Sequence, residues 1–177
     1  MRSIDEYGPY QLYKILFAGC AVVALSLVVY AHGNEEGSAK ITLGETHVSI
    51  DFRRPMLKGR DLMKMIHPGD LWRLGADVPT TLESDGDLDF GGTRVPKGKY
   101  VLLARYPEPG KWTLVVSSKD RNHYEPSAKI AEIPLEVQQA PDSVEAMNIT
   151  LVNGGAGAVI EISWGTSRLR GSFTAAK

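Results

Sequence analysis

Four histidines, three alternating aspartates and one basic stretch are the residues in this 177-residue chain whose types can do chemistry. His32, His47, His67 and His123 are scattered, with no pair at metal-ligand spacing and no HExxH, so they are expected to be surface or hydrogen-bonded imidazoles rather than a zinc or copper centre. Asp85, Asp87 and Asp89 alternate in SDGDLDF, but the twelve-residue loop and closing glutamate of a calcium site are missing. Alternate residues of a strand project from one face, so a solvated strand entrance is expected there. The chain has no GxSxG nucleophile elbow, and the part after the N-terminal apolar run has no phosphate-cradling glycine loop opening a helix. No catalytic residue, cofactor or metal is assigned.

The basic stretch holds Arg53, Arg54, Lys58, Arg60, Lys64 and Arg73, offset only by Asp61 and Asp70, and includes Trp72. As a site, Arg53, Arg54, Lys58, Arg60 and Arg73 with Trp72 make a docking or anion-binding loop for a headgroup, a glycan acid or an acidic patch on a partner. As structure, Arg54, Arg60 and Arg73 make internal ion pairs and backbone hydrogen bonds that fix a long loop. The second reading is preferred, because the planar guanidinium fork suits such roles.

The elements that must position these residues are strands. Val48, Ile50 and Phe52 alternate with polar residues up to Arg53-Arg54-Pro55, and Leu88 and Phe90 begin another strand before Gly91-Gly92. Tyr100 to Tyr106, YVLLARY, is apolar on both faces, as in a central covered strand. Pro107 to Gly110 turns the chain into a return strand on which Trp112, Leu114 and Val116 alternate. Ile133, Leu135 and Val137 follow, with Pro134 marking an edge or a bulge because it cannot donate a ladder hydrogen bond. Met147, Ile149 and Leu151 alternate next. After the turn Asn153 to Gly157 come Ala158, Ile160, Ile162 and Trp164, and a last strand runs from Arg168 to Phe173. Eight or nine strands with short connections predict an all-β, two-sheet antiparallel sandwich, Ig-like or jelly-roll-like. The one helix candidate in this part is Asp61 to Ile66.

Ahead of these strands lies a different kind of segment. Ile15 to Tyr30 is sixteen residues without a charge, and with its flanks, residues 12–31, it makes a helix of roughly 30 Å, the thickness of the bilayer hydrocarbon. Tyr10, Tyr13 and Tyr30 stand where aromatic rings meet headgroups, and Lys14 can snorkel. Arg2 and Lys14 precede the run while the next cation is Lys40, which places residues 1–11 in the cytoplasm and everything after Ala31 across the membrane. Ala18, Gly19, Ala21 and Ala24 leave a face of small side chains on which another helix can pack. Two rival fates are cleavage after Ala31 as a secretory signal and lipidation at Cys20, for which the apolar core before the cysteine is too short. Residues 32–40 read as a flexible tether with two glycines, and residues 41–177 as the sandwich.

His32 to Lys177 suits one domain with a real core. It carries 18 basic and 19 acidic residues, a balance that argues against nucleic acid as a partner. Cys20 is the only cysteine, so this domain has no disulfide and no thiol nucleophile.

One segment, Phe52 to Glu83, carries a resemblance. Arg54-Pro55, Lys58-Gly59-Arg60, Trp72-Arg73-Leu74-Gly75-Ala76 and Thr80-Thr81, followed by Val95-Pro96-Lys97-Gly98-Lys99-Tyr100 and Ile162-Ser163-Trp164, resemble a bacterial family of exported proteins known only as domain of unknown function 2911. The likeness runs from about Val48 to Phe173 and implies a β-sandwich with no established activity. The family commonly continues Gly-Ala with Asn-Glu-Ala, whereas this chain reads Asp77-Val78-Pro79, and Val78 cannot replace whatever that glutamate does.

The expectation is a non-catalytic, membrane-anchored periplasmic accessory subunit. Its transmembrane helix and exposed loops such as Arg53 to Arg73 would dock on a larger integral membrane complex, for which a respiratory or photosynthetic one fits. The alternatives are a periplasmic glycan- or anion-binding module and, third, a hydrolase using His67 or His123.

Overall fold

The computed structural model describes residues 34–60 and 65–176. The apolar run, with Tyr10, Tyr13, Lys14, Ala18, Gly19, Cys20, Ala21, Ala24 and Tyr30, lies outside them, as do His32, Lys64 and most of the Asp61 to Ile66 helix candidate. Among the described residues no helix is long and apolar enough to cross a membrane.

Ten antiparallel strands follow in order: β1 (Glu35–Leu43), β2 (Thr46–Arg54), β3 (Leu71–Arg73), β4 (Thr81–Ser84), β5 (Leu88–Phe90), β6 (Thr93–Val95), β7 (Gly98–Glu108), β8 (Lys111–Ser117), β9 (Lys129–Gly154) and β10 (Gly157–Ala175). They hydrogen-bond in the order β1-β2-β4-β7-β8-β9-β10-β5-β6, with β3 on β7. The fold is an all-β sandwich made from one sheet that turns back on itself. Its first layer is β1 to β4, β7 and β8 with the start of β9; its second is the rest of β9 with β10, β5 and β6.

Burial follows the alternation in the sequence. Val48, Ile50 and Phe52 of β2, Leu102, Ala104 and Tyr106 of β7 and Trp112, Leu114 and Val116 of β8 face Met147 and Ile149 of β9 and Ala158, Ile160, Ile162 and Trp164 of β10 in one core. A residue fixed every second position on such a face cannot slip by one without exposing the whole set. Leu103 and Val115, on the opposite face of β7 and β8, are also wholly buried, so β7 is covered on both sides as YVLLARY predicted.

Three expectations need correction or completion. Glu35 to Lys40, expected to be tether, belong to β1, which pairs with β2 along its whole length from Glu35 opposite Arg54 to Leu43 opposite Thr46. Gly37 fits there because the Phe52 ring packs across it, and a Cβ on Gly37 would lie 2.5 Å from that ring. The stretches expected as four separate strands between Ile133 and Phe173 are two long ones, continuous through register shifts at Ser163, Gly165 and Ser167, where Gly165 has a positive φ of 56°. A bulge bends a strand without ending it. Finally, Pro134 sits opposite Thr113 where β9 pairs with β8 alone, since pairing with β10 begins at Glu136, so it stands on a locally one-sided strand as its missing N–H suggested.

Candidate functional site

The basic stretch folds mostly onto itself. Arg53 Nη1 donates to the Asn34 carbonyl and its Nη2 reaches Glu36 at 2.7 Å. Arg54 Nε donates to the Met147 carbonyl at 3.2 Å, tying the first layer to the second, and Nη1 reaches Glu35 at 3.3 Å. Arg60 donates to the Leu57 and Met56 carbonyls at 2.9 and 2.5 Å, and its guanidinium carbon lies 5.7 Å from the centre of the Trp164 ring. Arg73 Nη1 donates to the Asp77 carbonyl at 3.2 Å. Lys58 is exposed in a left-handed conformation, φ 51°, held by its own N–H on Glu145. Five backbone carbonyls thus accept from four arginines, and these side chains pin the loop rather than gather round one anion.

The described histidines each meet an aspartate. His47 Nδ1 lies 2.8 Å from Asp85, His123 Nδ1 3.0 Å from Asp120, and His67 Nδ1 3.6 Å from Asp70, all on the exposed surface. His67 and His123 therefore sit in separate pairs. The carboxyls gain from this geometry. The His47 backbone N–H and then its ring hold Asp85 below its usual range, and the His123 ring does the same for Asp120. Among the described residues no three His, Cys, Asp or Glu side chains are grouped to hold a metal.

The three alternating aspartates are spent on turns. Asp85 accepts from the His47 N–H, Asp87 from the Lys97 N–H and from Arg94, and Asp89 from the Gly92 N–H. This is the local bonding that short acidic side chains offer at strand ends.

A different group stands together at the closed side of the basic loop. Trp72 of β3 stacks on Trp164 of β10, 5.4 Å between centroids and 10° from parallel, and meets Trp112 of β8 edge-on at 6.2 Å. These rings, with Ile66, Val137, Ile162 and Leu169, line an almost wholly apolar slot of about 140 Å³. The volume suits one branched side chain or a small ring. Trp164 Nε1 is buried and finds no acceptor among the described residues.

Sequence reasoning placed Trp72 in a loop and Trp112 and Trp164 on core faces, but not the slot they share. The signal lay in Trp112 and Trp164, two tryptophans at the ends of inward-facing runs, where a ring is too large to be filled around completely. A second hollow, about 550 Å³, adjoins the slot through Ile66, Trp72 and Trp164 and is otherwise lined by Asn34, Pro55, Met56, Lys58, Arg60, Met65, Gly75 and Ala76.

No curated protein and no solved structure matches this chain. The family described as protein of unknown function (DUF2911) matches residues 34–173, nearly the whole sandwich. With that coverage, the chain belongs to the DUF2911 family.

Proposed function

We propose that this protein is a non-catalytic accessory subunit, anchored in the inner membrane by residues 12–31, whose periplasmic sandwich docks on and stabilises a larger membrane protein complex. The observation that carries this reading is the tryptophan slot. It is small, almost wholly apolar and lined by large rings, which is the chemistry that receives an apolar side chain from another protein. Arg54 and Arg60 donate to backbone carbonyls, and His47 and His123 pair with aspartates, within the fold. On this reading Ala18, Gly19, Ala21 and Ala24 pack on a helix of the same complex.

Purification in mild detergent followed by mass spectrometry tests it. The expected result is a stable large assembly, lost on Val137→Arg, which puts a charge at the mouth of the slot. A lone monomer under several detergents would sink the proposal.

A second reading, a periplasmic glycan-binding module, draws support from Trp72, which remains half-buried where the slot and the larger hollow meet. A thermal-shift screen separates the two, since a small ligand that binds only the folded domain raises its melting temperature with no partner present.

A further inference from the structure

The sandwich carries exposed apolar side chains where the chain enters it. Of the six large hydrophobic residues exposed among the described residues, Met56, Met65 and Val78 are at that end, 37, 51 and 47 % exposed. Asn34 shares the larger hollow with Met56, Met65, Lys58 and Arg60, and its side-chain amide donates to Asp77 at 3.1 Å, which keeps Val78 at the same end. The hollow has two cations and no carboxylate among its described lining residues. The acids nearby are occupied: Glu35 and Glu36 pair with Arg54 and Arg53, and Glu145 accepts the Lys58 N–H.

Chain length then restricts what this end can meet. The apolar run closes at Ala31, three residues before Asn34. Three extended residues reach about 10 Å, comparable to the screening length in physiological salt. The turn at Gly44-Glu45 lies at the far end of β1, roughly 30 Å away along a nine-residue strand.

We infer that the end of the sandwich bearing Met56, Met65, Val78, Lys58 and Arg60 rests on an anionic phospholipid bilayer. The inference depends on the membrane-anchored reading above. Flexible methionines enter the headgroup layer, the two cations meet lipid phosphates, and Arg60, held over Trp164 by the Met56 and Leu57 carbonyls, presents its charge at a fixed place. Met56, Lys58, Arg60 and Met65 then face lipid, which leaves the tryptophan slot to the protein partner.

The test uses the full chain with Cys20→Ser and a single fluorophore at Met65→Cys, at Val78→Cys or, as the distant control, at Glu45→Cys. Each variant is placed in vesicles of phosphatidylglycerol and phosphatidylcholine that carry a headgroup quencher. Quenching at positions 65 and 78 should exceed that at 45 several-fold, and should fall on phosphatidylcholine alone or with Lys58→Glu. Equal quenching at all three positions, in protein that still floats with the vesicles, would overturn the inference while leaving the anchor intact. Protection of position 65 only when the purified native complex is added would assign this end to protein instead. Protein that does not float, with an intact mass beginning after Ala31, would defeat the anchored reading and this inference together.

Discussion

The rings of Trp72 and Trp164 lie face to face, 5.4 Å apart, although Trp72 belongs to the three-residue strand β3 and Trp164 to β10 in the other layer. β3 is short and pairs only with β7, so its hydrogen bonds alone hold it weakly. The stacked pair adds a contact from β3 to the other layer, beside the Arg54 bond to the Met147 carbonyl.

Trp72→Ala is therefore expected to cost about 3 kcal/mol, toward the low end for a tryptophan truncation because Trp72 is only half-buried. Trp164→Ala, at a buried position, should cost more. Urea unfolding monitored by circular dichroism measures both, and a loss below about 0.5 kcal/mol for Trp72→Ala would show that the stack is incidental.

Gly37→Ala discriminates a strand from a tether. A freely moving tether would tolerate the methyl, whereas in β1 it meets the Phe52 ring and should destabilise by about 1–3 kcal/mol. Gly44→Ala is no neutral control, since Gly44 has a φ of 63°, so Ser38→Ala on the same strand serves instead. A shift in the urea midpoint for Gly37→Ala but not for Ser38→Ala is the expected outcome.

Arg60→Lys keeps the charge and loses the fork. The carbonyls of Met56 and Leu57 lose a planar double donor and Trp164 loses its stacked cation. Because the side chain is exposed, a loss of about 1 kcal/mol is expected. Tryptophan emission, which reports on the Trp164 environment, should change in the folded state of this variant.

Acid should weaken the domain in a defined direction. Asp87 is held below its usual 3.8 by the Lys97 N–H and by Arg94. For Glu132, burial pushes the carboxyl up, but hydrogen bonds from Lys129 and Thr113 and the nearby Arg105 charge outweigh it, leaving the group below 4.5. Groups depressed in the folded state stabilise it fully above their unfolded values, and that contribution is lost as the pH falls through the folded ones. The melting temperature should be level from about pH 7 to 5 and decline below about pH 4. Calorimetry across this range should give a shallower acid slope for Glu132→Gln.

Much of the sandwich was legible because one-sided burial imposes a period of two. Ile50, Leu114 and Ile162 are core residues for the reason their alternation suggested. The arginines were legible as structural through their chemistry, since a guanidinium in a long loop of free carbonyls finds acceptors within the fold. β1 was not, because its first half, EEGS, has no apolar member and owes its place to the ring of Phe52 on the neighbouring strand. Nor was the continuity of β9 and β10, because a bulge looks like a strand end when only local residues are read.

By itself the sequence determined which faces are buried, that the domain lacks thiols, and that its charge is balanced, because these depend on residue type and on spacing along the chain. Tertiary structure decided that Trp72, Trp112 and Trp164 form one slot, that four arginines close on backbone oxygens, and that the exposed methionines share an end with Asn34. Those are meetings between residues up to about a hundred positions apart, and only the register and folding back of the sheet bring them together.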